Sequence, residues 1–383
     1  MRRVFRLPSV DPFLVWLVAV VAAASALPAR GGVADWFGVA TNLAIALLFF
    51  LHGAKLSRAA IVGGIGNWRL HLLVLGSTYV LFPLIGLATT TLNGWAIDPR
   101  LGVGLLFLTL LPSTVQSSIA FTALARGNVA GAVCSASLSN LLGIALTPLL
   151  VGLLIHSGGS GALSSWGSVQ TIALQLLVPF VGGHLLRPVI GGWVDRNKAI
   201  LMPVDRSSIL LVVYTAFSAA VVNGIWSKVT LPQLGLLLVV SAVILALVMG
   251  VNALVARMVG LSREDAIVLL FCGSKKSLVS GVPMAAALFA PATVGMVVLP
   301  LMIFHQLQLF ACAALAGRFG REAELLDAAD AAHAAPRIPQ GAEQAAAAAA
   351  ARDITIPDAC MPGVVANLAL LGRHYDRLTE ADQ

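Results

Sequence analysis

The chain reads as a succession of long apolar stretches separated by short polar joints. Ten stretches cover roughly residues 11–29, 34–53, 70–92, 101–125, 128–156, 168–190, 207–226, 231–257, 264–290 and 293–317. About 20 apolar residues in a helix suffice to cross a bilayer, and each stretch is about that long. Strand-like alternation of apolar and polar positions is missing, which excludes a transmembrane barrel. The pattern predicts an all-α polytopic membrane protein with ten transmembrane helices. The first stretch, with its Arg-rich start and Ala24-Ser25-Ala26, also fits a cleavable signal peptide; the internal repeat described below needs it as a helix. Past Arg321 the character changes to Ala, Asp, Glu, Arg and Pro, with an alanine run from Ala345 to Ala351. The expected division is a ten-helix transporter domain over 1–320 and a cytoplasmic, Ala-rich, disordered tail over 321–383. The alternative for the tail is a docking helix near 362–378.

Two stretches are interrupted. The ninth contains Phe271-Cys272-Gly273-Ser274-Lys275-Lys276-Ser277-Leu278-Val279-Ser280-Gly281-Val282-Pro283. Two lysines at mid-membrane cost about 2.5–3.5 kcal/mol each on insertion scales. A water-filled cavity, a bound anion or neighbouring oxygen atoms must offset that cost. Gly273, Gly281 and Pro283 weaken the helix around them. The competing reading, a cytoplasmic loop between two short helices, breaks the topology of the rest of the chain. The fourth stretch is interrupted at Pro112-Ser113-Thr114-Val115-Gln116-Ser117-Ser118. Leu105-Leu106-Phe107 recurs as Leu269-Leu270-Phe271, and Pro112-Ser113 aligns with Lys276-Ser277 at the same offset. Five helices per half makes the halves, about 11–156 and 168–317, inverted repeats. Inverted repeats with interrupted helices at corresponding places point to a secondary transporter.

Composition sharpens this. Hydrophobic residues make up 58% of the chain and charged residues 11%, against about a quarter charged in soluble domains. The net charge of +7 is a topology signal. With the N-terminus inside, the inner joints hold Arg2, Arg3, Arg6, Lys55, Arg58, Arg69, Arg126, Arg187, Arg196, Lys198, Arg206, Arg257, Arg263, Arg318 and Arg321. The outer joints hold only Arg30, Arg100 and Lys228. Both termini are therefore expected in the cytoplasm of a cell with the protein in its inner membrane, and nucleic acid is excluded as a partner. Cys134, Cys272, Cys312 and Cys360 lack metal-ligand spacing, and no cofactor is expected. No phosphate loop, Gly-x-Ser-x-Gly elbow or His-Glu-x-x-His occurs, and the acidic residues before the tail lie near stretch ends. The chain is not expected to be an enzyme.

The candidate site lies at the two breaks. Each break leaves a half-helix N-terminus with free N–H groups aimed at mid-membrane, which favours an anion. The carbonyls freed at the opposing half-helix ends favour a cation. The substrate- or ion-binding candidates are Gln116, Ser117, Ser118, Ser135, Ser139, Asn140, Ser274, Lys275, Lys276, Ser277, His305 and Gln308, with helix breaks at Pro112, Gly273, Gly281 and Pro283. Ser135 and Ser139 share a helix face, as do His305 and Gln308. Adjacent helical residues point about 100° apart, so one lysine faces the cavity; Lys276, next to the capping Ser277, is the choice.

Several motifs carry a resemblance. Gly53-x-Lys55-Leu56-Ser57, Asn67-Trp68-Arg69, Leu81-Phe82-Pro83-Leu84, the first break, Ala125-Arg126-Gly127-Asn128, and Lys276-Ser277-Leu278 with Gly281-x-Pro283-Met284 resemble the SBF-like subgroup of the bile acid:sodium symporter superfamily. The resemblance implies a panel of helices one, two, six and seven, and a core of helices three to five and eight to ten. In that core, broken helices four and nine cross. It implies alternating access for a small organic anion in the lipid bilayer. It also marks a departure. Sodium-coupled relatives have Ser-Asn where Ser118-Ile119 stands, a glutamate near Phe271, and Gln-Asn-Ser in place of Lys275-Lys276-Ser277. A lysine ammonium thus stands where those relatives hold sodium, so of proton and sodium as coupling ion the residues favour a proton, or no ion. The other reading is a non-transporting membrane regulator of ion or calcium homeostasis that keeps the fold. The charge distribution yields a direct prediction: reporters fused after Arg321 should report a cytoplasmic C-terminus, and an external signal there would refute the assigned orientation.

Overall fold

The computed structural model describes residues 12–55, 67–155, 166–225, 229–334 and 338–381. Arg2, Arg3, Arg6, Arg58 and Lys228 of the charge pattern, and Leu56 and Ser57 of the motifs, lie outside the described residues. Apart from an isolated bridge between Asn93 and Ile97, the regular elements among the described residues are helices. In chain order they are α1 (Pro12–Ala26), α2 (Gly32–Lys55), α3 (Trp68–Gly76), a π turn (Ser77–Leu81), α4 (Phe82–Thr89), α5 (Pro99–Thr109), α6 (Gln116–Leu124), α7 (Val129–Leu154), α8 (Trp166–Arg196), α9 (Lys198–Val222), α10 (Leu231–Val259), α11 (Arg263–Gly273), α12 (Leu278–Leu288), α13 (Pro291–Ala334), α14 (Ala342–Ala350) and α15 (Met361–Ala381). Two compact units divide the chain, Met1–Arg321 and Glu322–Gln383.

Eight helical runs among the described residues are long and apolar enough to cross a membrane. The first and fourth of the ten expected stretches supply shorter apolar helices, at Val15–Ala26 and Pro99–Thr109. The fourth is short because its break divides it. Large apolar side chains such as Leu43, Val80, Val181, Leu185, Val243 and Leu254 are exposed along the outside. That is the surface lipid demands and water does not tolerate over such an extent. The chain is an integral membrane protein. One run differs from the others: 94% of the apolar window in Arg263–Leu288 is buried, against 22–44% in the other seven. The segment with the two lysines is therefore enclosed by protein and not bathed in lipid.

Local chemistry starts and stops these helices. Asp98 caps α5 through Arg100 N at 2.8 Å, with Pro99 in the first turn. Thr230 and Gln233 form a capping box at the head of α10, which ends at Gly260 in the left-handed conformation (φ 69°). Three helix N-termini meet at one carboxylate. Asp265, in the first turn of α11, accepts from Asn67 Nδ2 at 2.7 Å and from Asn128 Nδ2 at 2.8 Å. Asn67 precedes α3, and Asn128 caps α7 through Gly131 N. A negative charge among three positive helix ends is favourable, and it places the starts of α3, α7 and α11 on one side of the membrane.

The halves of the two broken stretches touch each other on both sides of the breaks. Phe121 of α6 meets Phe271 of α11 at 6.1 Å, while Phe107 of α5 meets Phe289, just past α12, at 5.3 Å. Gly281 and Pro283, read from sequence as breaks, lie inside α12. The break itself is confined to Ser274–Ser277, because Ser277 caps the new helix through Ser280 N at 3.1 Å. Gly281 serves packing instead: a Cβ there would press on the side chains of Leu111 and Leu301.

The described part of the tail differs from the expected disorder, since it forms α14 and α15. Met361, Val364, Val365 and Leu368 are half-buried at helical spacing while their neighbours are exposed. That stripe is the signal that the Ala-rich composition obscures.

Elsewhere α2 and α8 touch backbone to backbone. A Cβ on Gly53 would strike the carbonyl of Phe180, and a Cβ on Gly183 would strike the carbonyl of Phe50. The two contacts are reciprocal, so neither helix can yield without moving along its length. Gly183→Val is expected to force the pair apart and to lower the melting temperature of the detergent-purified protein by several degrees, a cost of about 1–3 kcal/mol for overpacking. An unchanged melting curve would show that the helices are free to separate.

Candidate functional site

The two breaks expose backbone carbonyls with no helical partner, and each must find one away from water. The accounting for the first break closes. Leu110 O accepts from Thr147 Oγ1 (2.8 Å), Pro112 O from Ser277 N (2.9 Å) and Ser113 O from Asn140 Nδ2 (2.6 Å). Leu111 O and Thr109 O accept from Lys276 Nζ at 2.7 and 2.8 Å. At the second break, Leu270 O accepts from Ser274 Oγ, Phe271 O from Ser118 Oγ (3.4 Å) and Cys272 O from Ser113 Oγ (2.6 Å). Gly273 O accepts from Ser77 Oγ (2.9 Å). Gln308 closes the system by bonding both backbone groups of Lys276, Oε1 to its N (2.8 Å) and Nε2 to its O (2.9 Å). His305 Nδ1 lies 2.8 Å from Gln308 Nε2. The breaks thus latch onto each other: Ser113 reaches the second, and Lys276 and Ser277 reach the first.

Beside this crossing lies a cavity of about 610 Å³, within the range of sites for small organic ligands. Its crossing wall is Thr114–Ser117 before and at the start of α6, Ser277–Ser280 at the start of α12, Asn140 and Ser137 of α7, and His305 of α13. The rest of its lining comes from α1, α2, α8 and α9, with Phe13, Leu48, Phe49, Phe180 and Ile209 among the apolar side chains. His52, Lys55, Asp205 and Arg206 also line it. Lys55 is paired with Asp205. Arg206 lies over the Phe13 ring at 5.5 Å and supplies the positive charge in excess of that pair.

The sequence-derived candidates divide between cavity and crossing. Gln116, Ser117, Asn140, Ser277 and His305 line the cavity. Ser118, Ser274 and Gln308 are committed to break carbonyls and to the Lys276 backbone. Ser135 is bonded to His71 Nδ1 at 2.7 Å, and Ser139 accepts from Ser113 N at 3.0 Å, so the shared face of Ser135 and Ser139 turns to the crossing. Ser137 and Asn140 carry the cavity face of α7. The orientation expected for Lys276 is corrected: its amine points away from the cavity into backbone carbonyls, and Lys275 does not line the cavity either. Lys275 Nζ stands over the rings of Phe121 (4.4 Å) and Phe271 (5.7 Å), 3.4 Å from Ser117 Oγ, so it lies behind a cavity-lining serine. Sequence reasoning missed Lys55, Asp205 and Arg206. Lys55 ends α2, and Asp205 and Arg206 stand just ahead of the apolar stretch read from 207, where charge reads as topology; only the packing of α9 against α2 brings them to the cavity. It also missed Ser77 and Thr147, single polar residues in apolar helices, for which periodicity gives no warning.

Because Gln308 satisfies both an N–H and a C=O in a water-free place, Gln308→Leu should cost about 2–6 kcal/mol, two unpaired buried groups at about 1–3 each. Thermal unfolding of the purified variant checks this; a loss below about 1 kcal/mol would show that the Lys276 backbone finds other partners.

Comparison with known proteins agrees with the geometry. The chain is 56% identical to the "Putative symporter YfeH" of Escherichia coli over 324 residues, covering 85% of this chain and 96% of that protein. It is 55% identical to the uncharacterized protein PA2026 of Pseudomonas aeruginosa, covering 82% and 94%. Against the sodium/bile acid cotransporter 7 of Rattus norvegicus it is 27% identical, covering 78% and 88%. Two of these three relatives are named as a symporter and a cotransporter. The model of the SBF-like CPA transporter family matches residues 11–321, and the chain belongs to that transporter family.

Proposed function

We propose that the protein is a secondary-active carrier of a small amphipathic organic anion, with its site in the cavity beside the helix crossing. The observation that carries this reading is the composition of the cavity walls. Part of its lining is the N-terminal turns of α6 and of the Ser277-capped α12, whose dipoles favour negative charge. Another part is apolar, and Arg206 adds a cation not cancelled by the Lys55–Asp205 pair. A ligand that fits has an acidic group for the crossing and Arg206 and a hydrocarbon body for Phe13, Leu48, Phe49 and Phe180.

The helices around the cavity support an alternating-access cycle. Leu51, Ala54, Val194 and Leu201 of α2, α8 and α9 form a cluster of their own. Leu70, Val74, Ala132, Ala136, Ala256 and Leu269 of α3, α7, α10 and α11 form another. In the proposed cycle the first group, with α1, is a panel and the second, with the crossing, is a core of a ten-helix inverted repeat; the cavity opens to either side as one rocks against the other. The crossing keeps its internal bonds throughout, because it lies wholly within the core.

The test is uptake of organic anions of graded hydrophobicity into proteoliposomes. A carboxylate or sulfonate with an apolar body should be taken up, and its cationic analogue should not. Arg206→Gln should raise KM about ten- to thirtyfold without loss of folded protein, from a charge contact of about 2 kcal/mol at about 8 Å and an effective dielectric near 20. Uptake of the cationic analogue, or an Arg206→Gln protein with unchanged KM, would overturn the assignment.

A further inference from the structure

Three backbone carbonyls meet at the centre of the protein with no backbone donor for any of them. Thr78 O would pair with Phe82 or Pro83; the Phe82 N–H goes to Ser77 O, and Pro83 has none to give. Thr109 O would pair with the N–H of Ser113, which is committed to Ser139 Oγ. Leu111 O sits in the break ahead of Pro112, where no helix continues. The three belong to the π turn, the end of α5 and the break, so no local rearrangement of one element can satisfy them together.

Lys276 Nζ donates to all three, at 2.9 Å to Thr78 O, 2.8 Å to Thr109 O and 2.7 Å to Leu111 O. An ammonium has three donors and no acceptor, so its capacity is used up. The Phe82 ring lies 4.1 Å and the Tyr79 ring 6.0 Å from the same nitrogen. The side chain is fully buried. The ion pairs among the described residues, Lys55–Asp205 and Arg187–Asp195, lie elsewhere. Lys276 is held as a free cation is held, by oxygen dipoles and aromatic faces, with no carboxylate in the set.

We propose that the carbonyls of Thr78, Thr109 and Leu111 form a monovalent-cation site that the protein keeps filled with its own Lys276 ammonium. The occupant is tethered, so the crossing takes up no sodium at this place. The separations are those of N–H···O bonds, so the emptied site selects an ammonium that can donate over a cation that cannot. Lys276→Ala removes the equivalent of n-propylammonium and opens the site to that ion.

The experiment is thermal unfolding of the full-length protein in detergent, as wild type, Lys276→Ala and Lys276→Met. Both variants should melt well below the wild type. n-Propylammonium should restore most of the loss in Lys276→Ala, tetramethylammonium should not, and neither should move the wild type. Replacing sodium with choline should leave the wild-type melting temperature unchanged. The proposal falls if the two amines act alike on Lys276→Ala, if Lys276→Met is as stable as the wild type, or if sodium raises the wild-type melting temperature. Should Lys276→Ala not fold, the methionine variant and the sodium arm decide. One consequence rests on the transport reading: uptake should proceed in sodium-free buffer. The melting arms need no substrate, so failure of the transport reading leaves this site standing or falling by itself.

Discussion

Every backbone carbonyl released where two membrane helices break must be given a donor without help from water, and the rest of the protein is arranged around meeting that demand. About nine carbonyls from Thr109 to Ser113 and Leu270 to Gly273 receive one from a side chain or from the opposite break. An unpaired buried group costs about 1–3 kcal/mol, so leaving nine unserved would cost roughly 9–27 kcal/mol, as much as or more than the roughly 5–15 kcal/mol by which a domain is stable. That inequality explains why the crossing is enclosed while the other spans face lipid. It also explains Ser77, Ser113, Ser118, Thr147 and Ser274, each the donor to one stranded carbonyl.

The lysines follow from the same demand. A buried ammonium is costly alone, yet here it answers three carbonyls at once, and the two costs offset each other. Lys276 therefore belongs to the framework. Lys275, one residue before, has two aromatic faces and a long contact to Ser117, which places positive charge just behind the cavity wall. Both lysines lie in the non-helical break, and one amine reaches the carbonyls of Thr109 and Leu111 while the other reaches Phe121 and Ser117 of α6.

Two further contacts fix helices around the crossing. Asp265 binds the starts of α3, α7 and α11 into one body by hydrogen bonds to charged oxygen, which are stronger than neutral ones. The reciprocal glycine contact joins α2 to α8 by close backbone approach. Between these bodies stands the cavity, with its walls drawn from both.

The sequence by itself determined the helical class, the membrane environment and the place of both breaks, because these depend on local quantities: length of apolar run, missing N–H groups at Pro112, weak helix formers, and charge at joints. It also marked Gln116, Ser117, Asn140, Ser277 and His305, polar residues beside a break. Only the tertiary structure decided which polar groups face the cavity and which face the crossing. Ser135, Ser139 and Gln308 look from sequence like Asn140 and His305, but a rotation of a few tens of degrees about a helix axis separates a lining residue from a buried donor, and packing sets that rotation. The helical stripe of α15 was legible at Met361, Val364, Val365 and Leu368 but masked by an alanine-rich composition. Arg206 and the Lys55–Asp205 pair were invisible as a site because their partners are 150 residues apart in the chain. Lys276 shows the division most clearly: its burial follows from the apolar run around it, whereas its role follows from three carbonyls contributed by residues far away in sequence.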